Sequence, residues 1–116
     1  GIISPNQNIY RKEGVAEEDQ TIKPVSYSVV KHGIMGLTKY LATYWGKKGV
    51  RVNTLCPASL QNGQDPEFIE KLSTLVPMGR MSRPDEYPAT VLYMLSDASS
   101  YMTGATVVLD GGRTIW

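Results

Sequence analysis

The sequence predicts an α/β chain that forms the closing part of a larger doubly wound parallel sheet. Three observations carry that reading. A long helical periodicity, from about residue 27 to 48, runs straight into a short β-branched stretch, VRVNTLCP. A second strand-like stretch, within TGATVVLDGG, arrives only after two more helical patterns. Strands separated by helical connections imply crossovers and parallel pairing. Two parallel strands alone leave both faces and both edges uncovered. The order helix, strand, two helices, strand therefore fits the end of a doubly wound domain better than a whole one. Residues 1–116 are expected to be a single partial domain.

Each element has its own local signal. Residues 5–26 are rich in turn formers and acids, among them Pro5, Asn6, Gly14, Glu17, Glu18, Asp19 and Pro24, and read as a long surface loop. In the helix that follows, Val30, Ile34, Leu37, Leu41 and Tyr44 recur at steps of three and four and form one apolar stripe. Gly33 and Gly36 interrupt it. Each weakens a helix interior by about 1 kcal/mol, so their presence predicts close approach of another helix or a ligand. Lys47 and Lys48 suit the helix's negative end, and Gly49 closes it. VRVNTLCP is a buried strand stopped by Pro57, and residues 58–65 are a loop. Pro66 opens a short helix with acids in its first turn. The second helix start places Ser82 as cap, Pro84 in the first turn and Asp85–Glu86 behind it, with Tyr87, Val91, Leu92 and Leu95 as the apolar face.

Composition narrows the function classes. A hydrophobic share of 41% and a charged share of 20% belong to a globular chain. Twelve basic and eleven acidic side chains leave a net charge of +1, with no basic excess for nucleic acid or a membrane surface. No apolar run has the length of a span and no signal peptide is visible. The single cysteine, Cys56, forms no internal disulfide, and no metal-ligand spacing occurs. A cytoplasmic location is the expectation. The first residues, GIIS, read like the middle of something.

The chemical signal is Tyr27 four residues before Lys31. Residues four apart share a helix face, about 6 Å along the axis. An ammonium there favours the phenolate, and a phenol so tuned serves as general acid or base toward a carbonyl or hydroxyl oxygen. Taken alone, such a pair is more often accidental, with the tyrosine packed and the lysine solvated. His32, on another face, reads as a surface residue. Cys56 reads as a small hydrophobe, and Tyr40, Tyr44 and Trp45 as packing residues.

Four stretches change the weight of that pair. Ser-Tyr-Ser-x-x-Lys at residues 26–31, GIMGLTKYLA, GVRVNTLCP and SSYMTGATVVLDGG occur in order and at matching separations over residues 25–112. Together they resemble the short-chain dehydrogenase/reductase family. The resemblance implies a Rossmann-type fold and an NAD- or NADP-dependent oxidoreductase that exchanges hydride with a carbonyl or alcohol. It implies that Tyr27 is the catalytic acid/base, and that Lys31 tunes it and holds the nicotinamide ribose. Asn53 matches the family's strand asparagine, and Pro57 its Pro-Gly proline, but Ala58 stands where the glycine is usual. The loop amide for the nicotinamide carboxamide falls at Leu60, and Asn62 replaces a threonine that contacts phosphate. The family's serine is expected about three residues before Gly1, which completes its Ser-x-x-Gly pattern; Ser4 is the alternative within the chain. The nucleotide-binding half is expected upstream, leaving residues 1–116 inactive by themselves. The long loop before Tyr27 reads either as lying over the substrate side or as a solvated insertion. The resemblance also implies a small carbonyl or alcohol substrate, with a sugar-like one left open, and a homo-oligomer built through the long helix. The terminal RTIW is either an intersubunit contact or a frayed end. A nucleotide-sugar epimerase or dehydratase uses the same tyrosine and lysine. A non-catalytic assembly fragment is the reading from a different class.

Overall fold

A computed structural model describes residues 2–115. Gly1 and Trp116, and the expectations placed on them, lie outside the described residues. The main elements are α1 (Val25–Trp45), β1 (Thr54–Pro57), α2 (Pro66–Ser73), α3 (Pro88–Leu95) and β2 (Thr106–Leu109), with single 3-10 turns between them. β1 and β2 pair in parallel, Thr54 opposite Thr106 and Pro57 opposite Leu109. The predicted α/β order and parallel pairing are therefore present. β1 is shorter than VRVNTLCP suggests, because residues 51–53 turn their polar groups to the approach of β2. The Asn53 amide donates to the Met102 carbonyl (2.8 Å) and accepts from the Ala105 amide (3.0 Å). The Val52 amide donates to the Thr103 hydroxyl (3.1 Å).

α1 lies against the sheet by an unexpected face. Its buried residues are Thr38 and Ala42. Thr38 donates to the Ile34 carbonyl (2.9 Å) and shares a hydrogen bond with the Thr54 hydroxyl of β1. A Cβ added to Gly104 would stand 3.5 Å from the Ala42 Cβ. Tyr27, Lys31, Met35, Thr38 and Ala42 follow one another at steps of three and four, so they share this inward face. The stripe that periodicity marks as the core face looks outward instead: Val30 is 58% exposed and Leu37 55%. Apart from the adjoining residues and backbone of α1 itself, no described atom lies within 4 Å of a Cβ placed on Gly33 or Gly36. The partner those glycines predict is not within these residues. Tyr40, Tyr44 and Trp45 contact each other ring to ring, yet remain on the surface.

The polar segment before α1 is not only a surface loop. Its first 3-10 turn, Gln7–Tyr10, buries Ile9 against Leu72 of α2 and Met81, with Phe68 and Ile69 packed around them. Burying such a side chain contributes about 1.5–3 kcal/mol. A lone isoleucine in a polar run carries no periodicity, so its burial leaves no pattern to read. The acids behind it do face outward, with Glu17 paired to Arg11.

α3 begins at Pro88, later than the sequence suggests. Arg83 and Glu86 close a separate 3-10 turn, Pro84–Glu86, in which the Glu86 carboxylate accepts from the Arg83 amide (2.8 Å). Ser82 does not cap a helix, because its hydroxyl donates to the Ala58 carbonyl (3.1 Å). α3 carries no buried residue, and Leu92 and Leu95 of its predicted apolar face are largely exposed. The Cα radius of gyration is 16.9 Å, where a compact domain of this length has about 13 Å. Among the described residues no helix is long and apolar enough to cross a membrane.

Candidate active site

The site gathers at the carboxyl end of the two strands, the end at which open α/β sheets bind ligands. A cleft of about 300 Å³ opens there, lined by the Ile3–Asn6 segment, Tyr27, the loop Pro57–Leu60 and Arg113. Ile9, Phe68, Leu72 and Met81 give it an apolar wall. Four of the sequence-predicted residues, Tyr27, Pro57, Ala58 and Leu60, thus meet on one cavity. Lys31 stands just beyond its lining, with Nζ 5.7 Å from the Tyr27 ring centroid. Asn62 does not reach it; its amide is held by the Gln64 side chain (2.7 Å) in an exposed turn. Ser4, the alternative serine, lines the same cleft as Tyr27.

Tyr27 sits in the first turn of α1, where its amide donates to the Pro24 carbonyl (3.1 Å). Gln7 fastens the preceding segment: its side chain donates to the Lys23 carbonyl (3.1 Å) and accepts from the Lys23 amide (2.9 Å). That clamp brings the Lys23 ammonium to 4.3 Å from the Tyr27 ring centroid, closer than Lys31. Lys23 also stands 5.7 Å from the Tyr10 ring. Burial, and then the charge of nearby Tyr27, push the Tyr10 phenol above its ordinary range. It therefore stays protonated, a hydrogen-bond donor on the cleft wall. Lys23, Tyr10 and Arg113 escaped the sequence reading, since nothing in their local pattern marks them.

The loop after β1 is fixed from behind. The Ala58 amide donates to the Leu109 carbonyl (3.1 Å), continuing the ladder past Pro57. The Ser82 hydroxyl and the Tyr87 phenol each stand 3.1 Å from the Ala58 carbonyl oxygen and bond each other; with one proton apiece, Ser82 donates to the carbonyl and accepts from Tyr87. Ser59 takes a positive φ of 58°, a conformation L residues seldom adopt, held by the Ser82 amide on its carbonyl (2.8 Å). Leu60 follows with its carbonyl bound by Gln64 (2.9 Å), while its amide donates to nothing among the described residues. The segment carrying Ser82 is tied down in turn by Arg80, which forms a two-pronged pair with Glu86 (2.6 and 2.8 Å). Arg80, and secondly the Arg83 amide, hold the Glu86 carboxyl down at about 2.

Asp110 follows directly after β2. Burial works against its charge, but hydrogen bonds from Thr114 and the Gly112 amide prevail and keep its carboxyl below the usual range. Gly111 and Gly112 both have positive φ, and a Cβ on either would stand 2.8 Å from Val76 or Pro77. Only glycine fits there. His32 lies away from all of this, its Nδ1 2.9 Å from the Ser28 carbonyl oxygen on the exposed side of α1. Cys56 is a free, half-buried thiol inside β1.

A family profile described as enoyl-(acyl carrier protein) reductase matches residues 13–114. Galactitol 2-dehydrogenase (L-tagatose-forming) of Cereibacter sphaeroides is 40% identical over 97 residues, which is 78% of this chain and 38% of that protein. The NADH-dependent L-xylulose reductase of Ambrosiozyma monospora is 41% identical over 101 residues, 79% of this chain and 37% of the other. This chain therefore spans less than two-fifths of either relative's length. Among solved structures, a short chain dehydrogenase from Leptospira borgpetersenii with bound NAD+ superposes with a TM-score of 0.78 at 33% identity. That match covers 88% of this chain and 40% of the other. Sequence, profile and backbone agree, and the chain belongs to the short-chain dehydrogenase/reductase family.

Proposed function

We propose that these residues supply the acid/base and the substrate wall of an NAD(P)-dependent oxidoreductase, working with a nucleotide-binding half. The reaction interconverts a carbonyl and an alcohol on a small polyhydroxylated molecule. The observation that carries the reading is Tyr27, opening into a cleft walled by the loop Pro57–Leu60, with the Lys31 ammonium one helical turn on. The sugar alcohols and ketoses in the relatives' names, galactitol, L-tagatose and L-xylulose, support a sugar-like substrate.

The residues present fit a nicotinamide cofactor. The Leu60 amide has no partner within the described chain, and Lys31 has no acid to neutralise it there; together they suit the carboxamide and the ribose. Pro57 and Ala58 would shape the loop against the ring, with Asn62 further along it. NAD or NADP supplies or accepts the hydride. Tyr27 gives its phenolic proton to the carbonyl oxygen during reduction and takes one from the alcohol during oxidation. The ammonium groups of Lys23 and Lys31 stand 4.3 and 5.7 Å from the Tyr27 ring centroid. Tyr10, kept protonated, donates a hydrogen bond without competing for that proton. Ile9, Phe68, Leu72 and Met81 exclude water from one wall, which strengthens each of these interactions. The bare apolar stripe of α1 supports a homo-oligomer formed through that helix.

The test is deuterium transfer. The full-length enzyme is given reduced cofactor deuterated at nicotinamide C4, with L-xylulose or L-tagatose. Deuterium at the new carbinol carbon, matched to cofactor oxidised, supports the reading. An epimerised sugar with no net cofactor consumed favours the epimerase alternative. No conversion of any carbonyl, with the oligomer intact, favours the assembly role.

A further inference from the structure

We propose that Arg113 adapts this cleft to a polyol carrying an oxyanion, either a carboxylate or a phosphate ester, in preference to a neutral sugar alcohol. The inference rests on the oxidoreductase reading and adds the substrate class.

The chain has five arginines, and four of them spend their guanidinium groups internally. Arg11 pairs with Glu17, Arg80 with Glu86 and Arg83 with Asp85. Arg51 donates to the carbonyls of Ser96 (3.2 Å) and Met102 (3.3 Å). Arg113 differs. Its backbone amide bonds the Asp110 carbonyl (3.2 Å), but its guanidinium has no partner among the described residues, although the residue is half-buried and lines the cleft beside Tyr27. Asp110, the nearest acid in sequence, is already engaged, with its two oxygens on the Gly112 and Thr114 amides at 2.9 Å each. Among the described residues lining the cleft, none is acidic.

A guanidinium with no counter-charge keeps its donors free for an incoming anion. The guanidinium presents five donors in a planar fork that matches a carboxylate or phosphate with two parallel bonds. The surroundings reinforce it: Lys23 and Lys31 flank the Tyr27 ring, and neither has an acidic partner among the described residues. With a net charge of only +1, the chain is not generally basic. Arg113 in the lining, with Lys23 and Lys31 at the edge beside Tyr27, nonetheless brings three cations to this cleft, where they favour an anion. Ser4, Asn6 and Tyr10 supply neutral groups for the hydroxyls of the same substrate.

The experiment compares D-gluconate, D-glucitol 6-phosphate and neutral D-glucitol with the full-length enzyme, its Arg113→Gln and its Arg113→Lys variants. Two readouts are taken: kcat/KM, and the melting-temperature shift each compound produces without turnover. The wild type is expected to prefer one oxyanion-bearing polyol over glucitol by about tenfold or more. Arg113→Gln should bring that ratio to about one and abolish the anion-dependent shift, and Arg113→Lys should keep part of both. Preference for gluconate assigns the carboxylate, and preference for the ester assigns the phosphate. A wild-type ratio near one overturns the proposal, as does a ratio that survives Arg113→Gln. If no polyol is oxidised but the anion-dependent shift is present and lost in Arg113→Gln, the anion site stands and the oxidoreductase reading falls.

Discussion

The carboxyl end of the sheet and the outer surfaces of α1 and α3 are built on opposite terms. At the sheet end the loop backbones are held in place by hydrogen bonds. Ala58 is held by the Ser82 hydroxyl, Ser59 is locked at positive φ, Asp110 is tied to two amides, and Glu86 is clasped by Arg80. On the helices, large apolar side chains stand in the open, as at Val30, Leu37, Leu92 and Leu95. The difference teaches that the site's loops are organised by these residues alone, while the helices carry apolar side chains that these residues leave uncovered. Exposed apolar surface of this kind marks an interface, whereas a hydrogen-bonded end needs nothing further to hold its geometry.

The largest effect on that contrast should come from Gly111→Ala. The new methyl would meet Val76 at 2.8 Å in a backbone conformation with φ +63°. A loss of about 1–3 kcal/mol in chemical denaturation is expected. An unchanged midpoint would mean that the sheet end is looser than described.

A smaller effect, read through pH, concerns Glu86. Its folded carboxyl lies at about 2, below its ordinary 4.5. The stabilisation it gives is therefore fully present above about pH 4.5 and is lost as pH falls toward 2. Glu86→Gln should flatten that part of the stability profile while leaving the slope above pH 6 unaltered. An equally steep acid limb in the variant would show that other carboxylates carry it.

Much of this was legible from residue spacing, and the exceptions have physical causes. α1, β1 and β2 announce themselves through periodicity, β-branching and glycine stops, whereas the spacing of Tyr27 and Lys31 gains weight only from the four stretches that resemble the family. The packing face of α1 was misread because periodicity ranks residues by hydrophobicity. Thr38 and Ala42 pack on the sheet by being small and by a hydroxyl pair with Thr54, which that ranking does not see. The start of α3 moved because Ser82 found a tertiary acceptor, the Ala58 carbonyl, in preference to a helix end. Lys23 and Arg113 were invisible because their significance depends on what lies near them across the fold.

The smallest effect is predicted on the other side of the comparison. Ile34→Ser, on the outward stripe of α1, should change the stability of the isolated chain by no more than about 0.5 kcal/mol. It should nonetheless weaken self-association measured by sedimentation. A stability loss of several kcal/mol would place Ile34 in this chain's own core and dissolve the contrast.

The central claim is that the ordered sheet end exists to present Tyr27 to a substrate oxygen, and turnover of Tyr27→Phe in the full-length enzyme tests it most directly. The variant keeps the ring, and with it the contacts to Lys23 and Lys31, but removes the proton. The account predicts a fall in kcat of about 10²–10⁴-fold with an unchanged melting temperature; near-wild-type turnover would contradict it.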